Sequence, residues 1–134
     1  KVLLSIPGFG PDVSSKVLAY IGDPHRFEKA SQVLKTAGFD LSANRSGKTT
    51  ASAVPVISKK GKADLRYALC QAAMIASTRN RHFMKYFTEK IRSRAGEKGI
   101  ITKMRVKLAA KLLIIAWTMM KNKAPFNPKH VTVT

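Results

Sequence analysis

The sequence is 134 residues long and carries 25 Lys plus Arg against 7 Asp plus Glu, a formal charge of +18. That length suits one domain, and the apolar share of 45% argues against wholesale disorder. A surface this positive needs a polyanion to neutralise it, nucleic acid before anionic lipid, and no stretch reaches the roughly 18 to 20 apolar residues of a membrane span.

Residues 1–5 read as the end of a helix. The string Ile6-Pro7-Gly8-Phe9-Gly10-Pro11 is a tight turn. Asp12 is placed to cap the helix that follows, which turns Val13, Val17, Leu18 and Ile21 to one face and stops at Gly22-Asp23-Pro24. A second helix is predicted over Phe27–Ala37, with Phe27, Ala30, Val33, Leu34 and Ala37 inward and Gly38 as its terminator. Residues 39–62 lack helical period and contain one β-like run, Ala53–Ile57. A loop this long is unusual in a compact domain unless it has a task.

Three further helices are predicted from periodicity. The first covers about Ala63–Asn80 with Leu65, Leu69, Ala72, Ala73 and Ala76 inward. The second covers about His82–Arg94 with Phe83, Phe87 and Ile91 inward. The third covers about Lys103–Lys121 with Val106, Ala109, Leu113 and Trp117 inward. Gly96 and Gly99 separate the last two, and residues 122–134 read as a loose tail. The expected fold is therefore a mainly helical single domain with a long basic loop and room for a short β-hairpin.

The turn at Ile6–Gly10 and the helix behind it resemble a helix-hairpin-helix, within about residues 1–22. Gly8 and Gly10 leave backbone N–H groups bare for a phosphate, and the helix points its positive end at the same place. Lys16 adds charge nearby. Contacts of this kind hold a duplex without reading its sequence. A plain helical corner without a ligand is the alternative, and Asp12 counts against the phosphate reading because a carboxylate repels one.

The loop holds Ala43-Asn44-Arg45-Ser46-Gly47-Lys48, and downstream Ser58-Lys59-Lys60-Gly61-Lys62-Ala63-Asp64-Leu65-Arg66. Its cations Arg45, Lys48, Lys59, Lys60, Lys62 and Arg66 suit stabilisation of a phosphoryl-transfer transition state, and Ser46 beside them could act as nucleophile. Ser-Gly-Lys loops are also common and inert. A P-loop is rejected, because Ser42 stands where the earlier glycine belongs and no hydrophobic strand leads in.

A second basic stretch runs from Arg79 to Lys111: Arg79, Arg81, Lys85, Lys90, Arg92, Arg94, Lys98, Lys103, Arg105, Lys107 and Lys111, opposed only by Glu89 and Glu97. It reads as a nucleic-acid track or as a solvated face. Cys70, the single cysteine, excludes an internal disulfide and reads as a buried small apolar residue. Met119, Met120 and Trp117 read as core. His25, His82 and His130 read as lone surface residues, and no metal site is expected.

The ordered blocks carry a wider likeness. They are Ile6–Pro11, Ile21-Gly22-Asp23-Pro24 with Arg26-Phe27, Ala37-Gly38-Phe39, Ser46-Gly47-Lys48, and Ile57-Ser58-Lys59-Lys60-Gly61 with Leu65-Arg66, Leu69 and Ala72-Ala73. Together they resemble the C-terminal domain of the insertion-sequence-110/116/902 transposase family. The likeness runs from about Leu4 to Ala73 and more loosely to about Pro128. It implies a serine nucleophile at the position of Ser46 that becomes covalently linked to DNA. It also implies a bridge RNA that selects the DNA sites, a homo-oligomeric enzyme, and Mg²⁺ held by acids of an N-terminal RuvC-like domain.

The chain starts at Lys1 beside an apolar run, as a fragment of a longer protein would. With its seven acids scattered, it is expected to be inactive in strand transfer by itself. The expected location is the bacterial or archaeal cytoplasm, at the nucleoid and away from membranes. Two other readings remain open on the sequence alone. One is a non-enzymatic helix-hairpin-helix DNA-binding module, the other a structural RNA binder.

Overall fold

The computed structural model describes residues 3–39, 41–42, 56–57, 63–94, 96–127 and 129. A 3-10 turn at Leu3–Ser5 leads into α1 (Pro11–Ile21), a second 3-10 turn at Pro24–Arg26, and α2 (Ala30–Ala37). Then come β1 (Leu41–Ser42), β2 (Val56–Ile57), α3 (Ala63–Arg79), α4 (Arg81–Ser93) and α5 (Ile100–Asn122). The strands pair antiparallel, Leu41 opposite Ile57 and Ser42 opposite Val56. The chain is thus the mainly helical single domain the periodicity indicates, with a minimal β pair.

α5 organises the core. In its first half, Ile100, Met104 and Leu108 are buried at four-residue intervals while Lys103 and Lys107 stay exposed. From Leu112 onward burial wraps the helix: Leu112, Leu113, Ile115, Ala116, Trp117 and Met119 are all inside. A helix apolar on every side must be enclosed. The other four helices and both 3-10 turns pack against it. Each fully buried Leu or Ile there contributes about 1.5–3 kcal/mol. α3 adds Leu65, Leu69 and a run of buried alanines, Ala68, Ala72, Ala73 and Ala76, small enough for neighbouring backbones to come close.

The corner between α1 and α2 is built from side chains of the Ile21–Phe27 block. Gly22 takes a positive φ of 62° as α1 ends. The Asp23 carboxylate accepts from the His25 N–H at 3.0 Å. The Arg26 guanidinium donates to the Ile21 carbonyl at 2.8 Å and the Tyr20 carbonyl at 2.7 Å, closing the end of α1. It also lies 4.2 Å from the Phe27 ring centre, and the Trp117 Nε1–H donates to the Pro24 carbonyl at 2.8 Å. We expect Arg26→Ala to lower stability by about 1–2 kcal/mol, since hydrogen bonds from a charged group are worth slightly more than this when buried. The measurement is a lower urea midpoint with an unchanged slope.

Several elements differ from the periodicity reading. Leu3–Ser5 is a 3-10 turn instead of the end of an α-helix. α1 begins at Pro11, whose missing N–H costs nothing in a first turn, so Gly10 and not Asp12 occupies the cap position. Leu18 is 55% exposed, because α1 buries the stripe through Val17, Tyr20 and Ile21 instead. Tyr20 can be buried there because its hydroxyl donates to the Val33 carbonyl at 3.1 Å. Phe27 is buried as expected but precedes α2 in extended backbone. Phe87, Ile91 and Val106 are only half-buried.

The ends of α2, α3 and α4 match the signals in the sequence. Gly38 ends α2 at φ 86°, and Asn80 caps α4 by accepting from the N–H groups of His82 and Phe83. After α5 the chain has no regular structure through Asn127, yet it is not loose there. The Phe126 ring stacks 5.7 Å from Phe83, and its N–H donates to the Ser5 hydroxyl at 2.8 Å.

Candidate nucleic-acid interface

The hairpin is held from below by two buried side chains, Ile6 and Phe9, and by the Phe9 N–H donating to the Ile6 carbonyl at 3.0 Å. Its glycines have different surroundings. Gly8 has a φ of +90°, and a Cβ there would strike the backbone carbonyl of Ala72 on α3. Glycine at this position lets the turn seat on α3. Gly10 is extended, with nothing within 4 Å of where its Cβ would stand, and no side chain caps α1. The first-turn N–H groups of α1 and its positive end therefore lie beside an open surface, the arrangement that suits an incoming phosphate.

Asp12, the feature that counts against this reading, is neutralised locally. Its carboxylate lies 3.2 Å from the Lys16 ammonium, and both side chains are exposed. A pair of this kind is worth about 0–1 kcal/mol, so a phosphate can compete for Lys16 at little cost. Lys16 also borders a shallow depression of about 440 Å³ whose other wall is Ala63, Asp64 and Leu65, the first turn of α3. The hairpin helix is thereby adjacent to the start of α3. At the other end, the β1–β2 pair brings residues 42 and 56 together, so the segment between them leaves and returns at one place. Ser46, Arg45, Lys48, Lys59, Lys60 and Lys62 lie outside the described residues.

Arg66, on the second turn of α3, acquires a neighbour that sequence order hides. Burial pushes the half-buried Cys70 thiol up from its usual range, and the positive charges of Arg105 and Arg66 pull it partly back. One thiol thus senses a guanidinium from α3 and another from α5. Cys70 is not the fully buried residue its apolar neighbours indicate, because its position on α3 borders this charged seam. The Arg105 Nε is buried with no hydrogen-bond partner among the described residues.

The basic track divides in space. Arg94 and Lys103 are drawn to Glu97, at 2.7 and 3.5 Å, where they close the corner between α4 and α5. Those charges help hold Glu97 below the usual carboxylate range, its hydrogen bond with Arg94 first among the causes. His25 and His82 are exposed, and His130 lies outside the described residues. Among the described residues no group of three or more His, Cys, Asp or Glu could hold a metal ion, and no helix is long and apolar enough to cross a membrane. The donors among the described residues do not fit a divalent-metal centre.

A family model described as the transposase IS116/IS110/IS902 family matches residues 1–88. The matched span begins ahead of the hairpin, includes Ser46 and ends in the middle of α4. No curated protein matches the chain.

Proposed function

The chain belongs to the IS116/IS110/IS902 transposase family, and from that premise we propose that it is the DNA-gripping, nucleophile-bearing domain of its enzyme. The observation that carries this reading is the family match, whose span, residues 1–88, takes in both the hairpin and Ser46. The charge of +18 supports a polyanionic partner. On this reading the domain is the C-terminal part of the transposase. Residues 1–22 form the hairpin module and 39–62 the serine loop, and the remaining helices form the body.

Gly8, Gly10, Lys16, Arg45, Lys48, Lys59, Lys60, Lys62 and Arg66 hold the phosphate backbone. The Ser46 hydroxyl oxygen attacks the scissile phosphorus. One P–O bond forms as another breaks, and the hydroxyl proton leaves toward the departing sugar oxygen. The ester bond is exchanged and not hydrolysed, so no nucleotide energy source is required. The metal-binding acids, Mg²⁺ with them, and the bridge RNA that selects the sites belong to other parts of an oligomeric assembly acting on DNA in the cytoplasm.

The deciding experiment compares the full-length transposase with its Ser46→Ala variant for a covalent protein–DNA adduct. An adduct that survives the substitution refutes the assignment. Binding itself has a separate signature. The seven proposed cations contribute about −6 to the slope of log K against log salt, which by itself lowers affinity on the order of 10³–10⁴-fold between 50 and 200 mM. Fluorescence anisotropy on a labelled duplex measures it. A slope near −1 would show that most of these residues stay off the phosphates.

A further inference from the structure

A cleft bordered by α2, α4 and α5 has its lysines and its α5 wall beyond the family-matched residues 1–88, and it is independent of the Ser46 reading. It is open, about 430 Å³, and has an apolar floor that includes Met104, Ala110 and Ile114. Lys90 from α4 and Lys107 and Lys111 from α5 line it together with Tyr86. The Lys111 ammonium stands 4.9 Å from the Tyr86 ring centre and that of Lys90 stands 5.6 Å from it. None of the described residues lining this cleft is acidic.

We propose that this cleft is a second DNA-backbone site, in which Lys90 and Lys111, beside the Tyr86 ring, and Lys107 on the same wall take the phosphates of a duplex.

Three observations converge on this assignment. First, like charges converge in the cleft with no acidic residue among its described lining to offset their repulsion. Burial lowers the proton affinity of the Lys111 amine, and the Lys90 charge lowers it further. The attraction available locally is the Tyr86 π face, worth about 0.5–2 kcal/mol per cation. Second, the apolar floor gives the lysines no competing acceptor and lowers the local dielectric beside them, which strengthens the pull on an anion that enters. Third, the ring face is already covered by ammonium groups. Tyr86 therefore positions the lysines and does not stack a base, and the cleft suits backbone contact without sequence reading. A DNA occupant follows from the family, since it moves DNA.

The test measures duplex affinity and its salt slope for a triple variant, Lys90→Gln with Lys107→Gln and Lys111→Gln. A control removes as many charges elsewhere through Lys29→Gln, Lys35→Gln and Lys123→Gln. The cleft variant is expected to lose at least about 30-fold in affinity and to flatten the slope by about 2.7, at 0.9 per lost phosphate contact. The control is expected to change affinity less than about threefold. Equal losses in the two variants would overturn the proposal.

Stability provides the second arm. Relief of repulsion means that Lys111→Met should melt at the same temperature as the parent or higher while binding DNA more weakly. A variant that melts lower with unchanged DNA affinity would make Lys111 a structural residue and refute the site. Competition provides the third. Duplex RNA that displaces DNA at lower concentration than unlabelled duplex DNA does would overturn the DNA assignment.

Discussion

In the full-length transposase, Ser46→Ala is expected to eliminate the covalent protein–DNA adduct while changing DNA affinity by less than about tenfold. The two halves of this expectation have different physical origins. On the proposed reading the hydroxyl oxygen is the attacking atom, and a methyl group cannot replace it. Removing a nucleophile that works with a positioned set of groups costs on the order of 10⁴–10⁶ in rate, because the remaining groups have nothing to activate. Binding, on the same reading, draws instead on the proposed cations from Lys16 to Arg66, several phosphate contacts that the alanine leaves in place. The serine adds at most one neutral hydrogen bond, about 0.5–1.5 kcal/mol. A filter-retention or denaturing-gel assay on labelled DNA reads the adduct, and anisotropy reads the affinity. Loss of both together would mean that the alanine disturbs the loop, and the nucleophile assignment would lose its support. Retention of both would favour a binding module that uses the hairpin alone.

What the sequence reveals, and what it does not, follows from the range of each signal. Local rules place Gly38 and the α3 stripe of Leu65, Leu69, Ala72, Ala73 and Ala76, since capping and 3.6-residue periodicity act within a few residues. Leu18 is misplaced because periodicity fixes a helical face only to within one neighbouring position. The choice between Leu18 and Tyr20 turns on a hydrogen-bond partner, the Val33 carbonyl, thirteen residues on. The first residues after α5 read as loose because nothing nearby in sequence shows that Phe126 meets Phe83 and Ser5.

The same limit applies to the site. Lys16 and the first turn of α3 are far apart in sequence and share one depression. Arg66 and Arg105 flank one thiol only after α3 packs on α5. A list of basic residues cannot divide itself into the Glu97-bound corner and the Tyr86 cleft, because that division depends on which helix faces which.

Gly8→Ala should be the most destabilising single-methyl addition in the hairpin, and Gly10→Ala should be nearly silent in stability. At Gly8 two costs combine. Its φ of +90° is unfavourable for any L side chain, by about 1–2 kcal/mol. The new Cβ also meets the Ala72 carbonyl, a backbone atom fixed inside α3 that cannot swing aside as a side chain would. Overpacking of this kind costs about 1–3 kcal/mol more. A total of about 2–5 kcal/mol is a large part of the 5–15 kcal/mol that holds a domain together. It corresponds to a fall in melting temperature of about 10–20 °C for a chain of this size.

Gly10 has φ −96° and open space, so alanine there costs a few tenths of a kcal/mol or even stabilises slightly through the unfolded chain. Its methyl would nevertheless stand beside the uncapped first turn of α1, where the proposed phosphate approaches. Duplex affinity should therefore fall several-fold in Gly10→Ala with the melting temperature intact, whereas Gly8→Ala loses affinity only as far as it unfolds. If Gly10→Ala binds DNA as the parent does, the α1 N-terminus is not a phosphate site and the hairpin is only a structural corner. If Gly8→Ala melts within a degree or two of the parent, the seat on Ala72 is not a tight one and the turn docks on α3 in some other way.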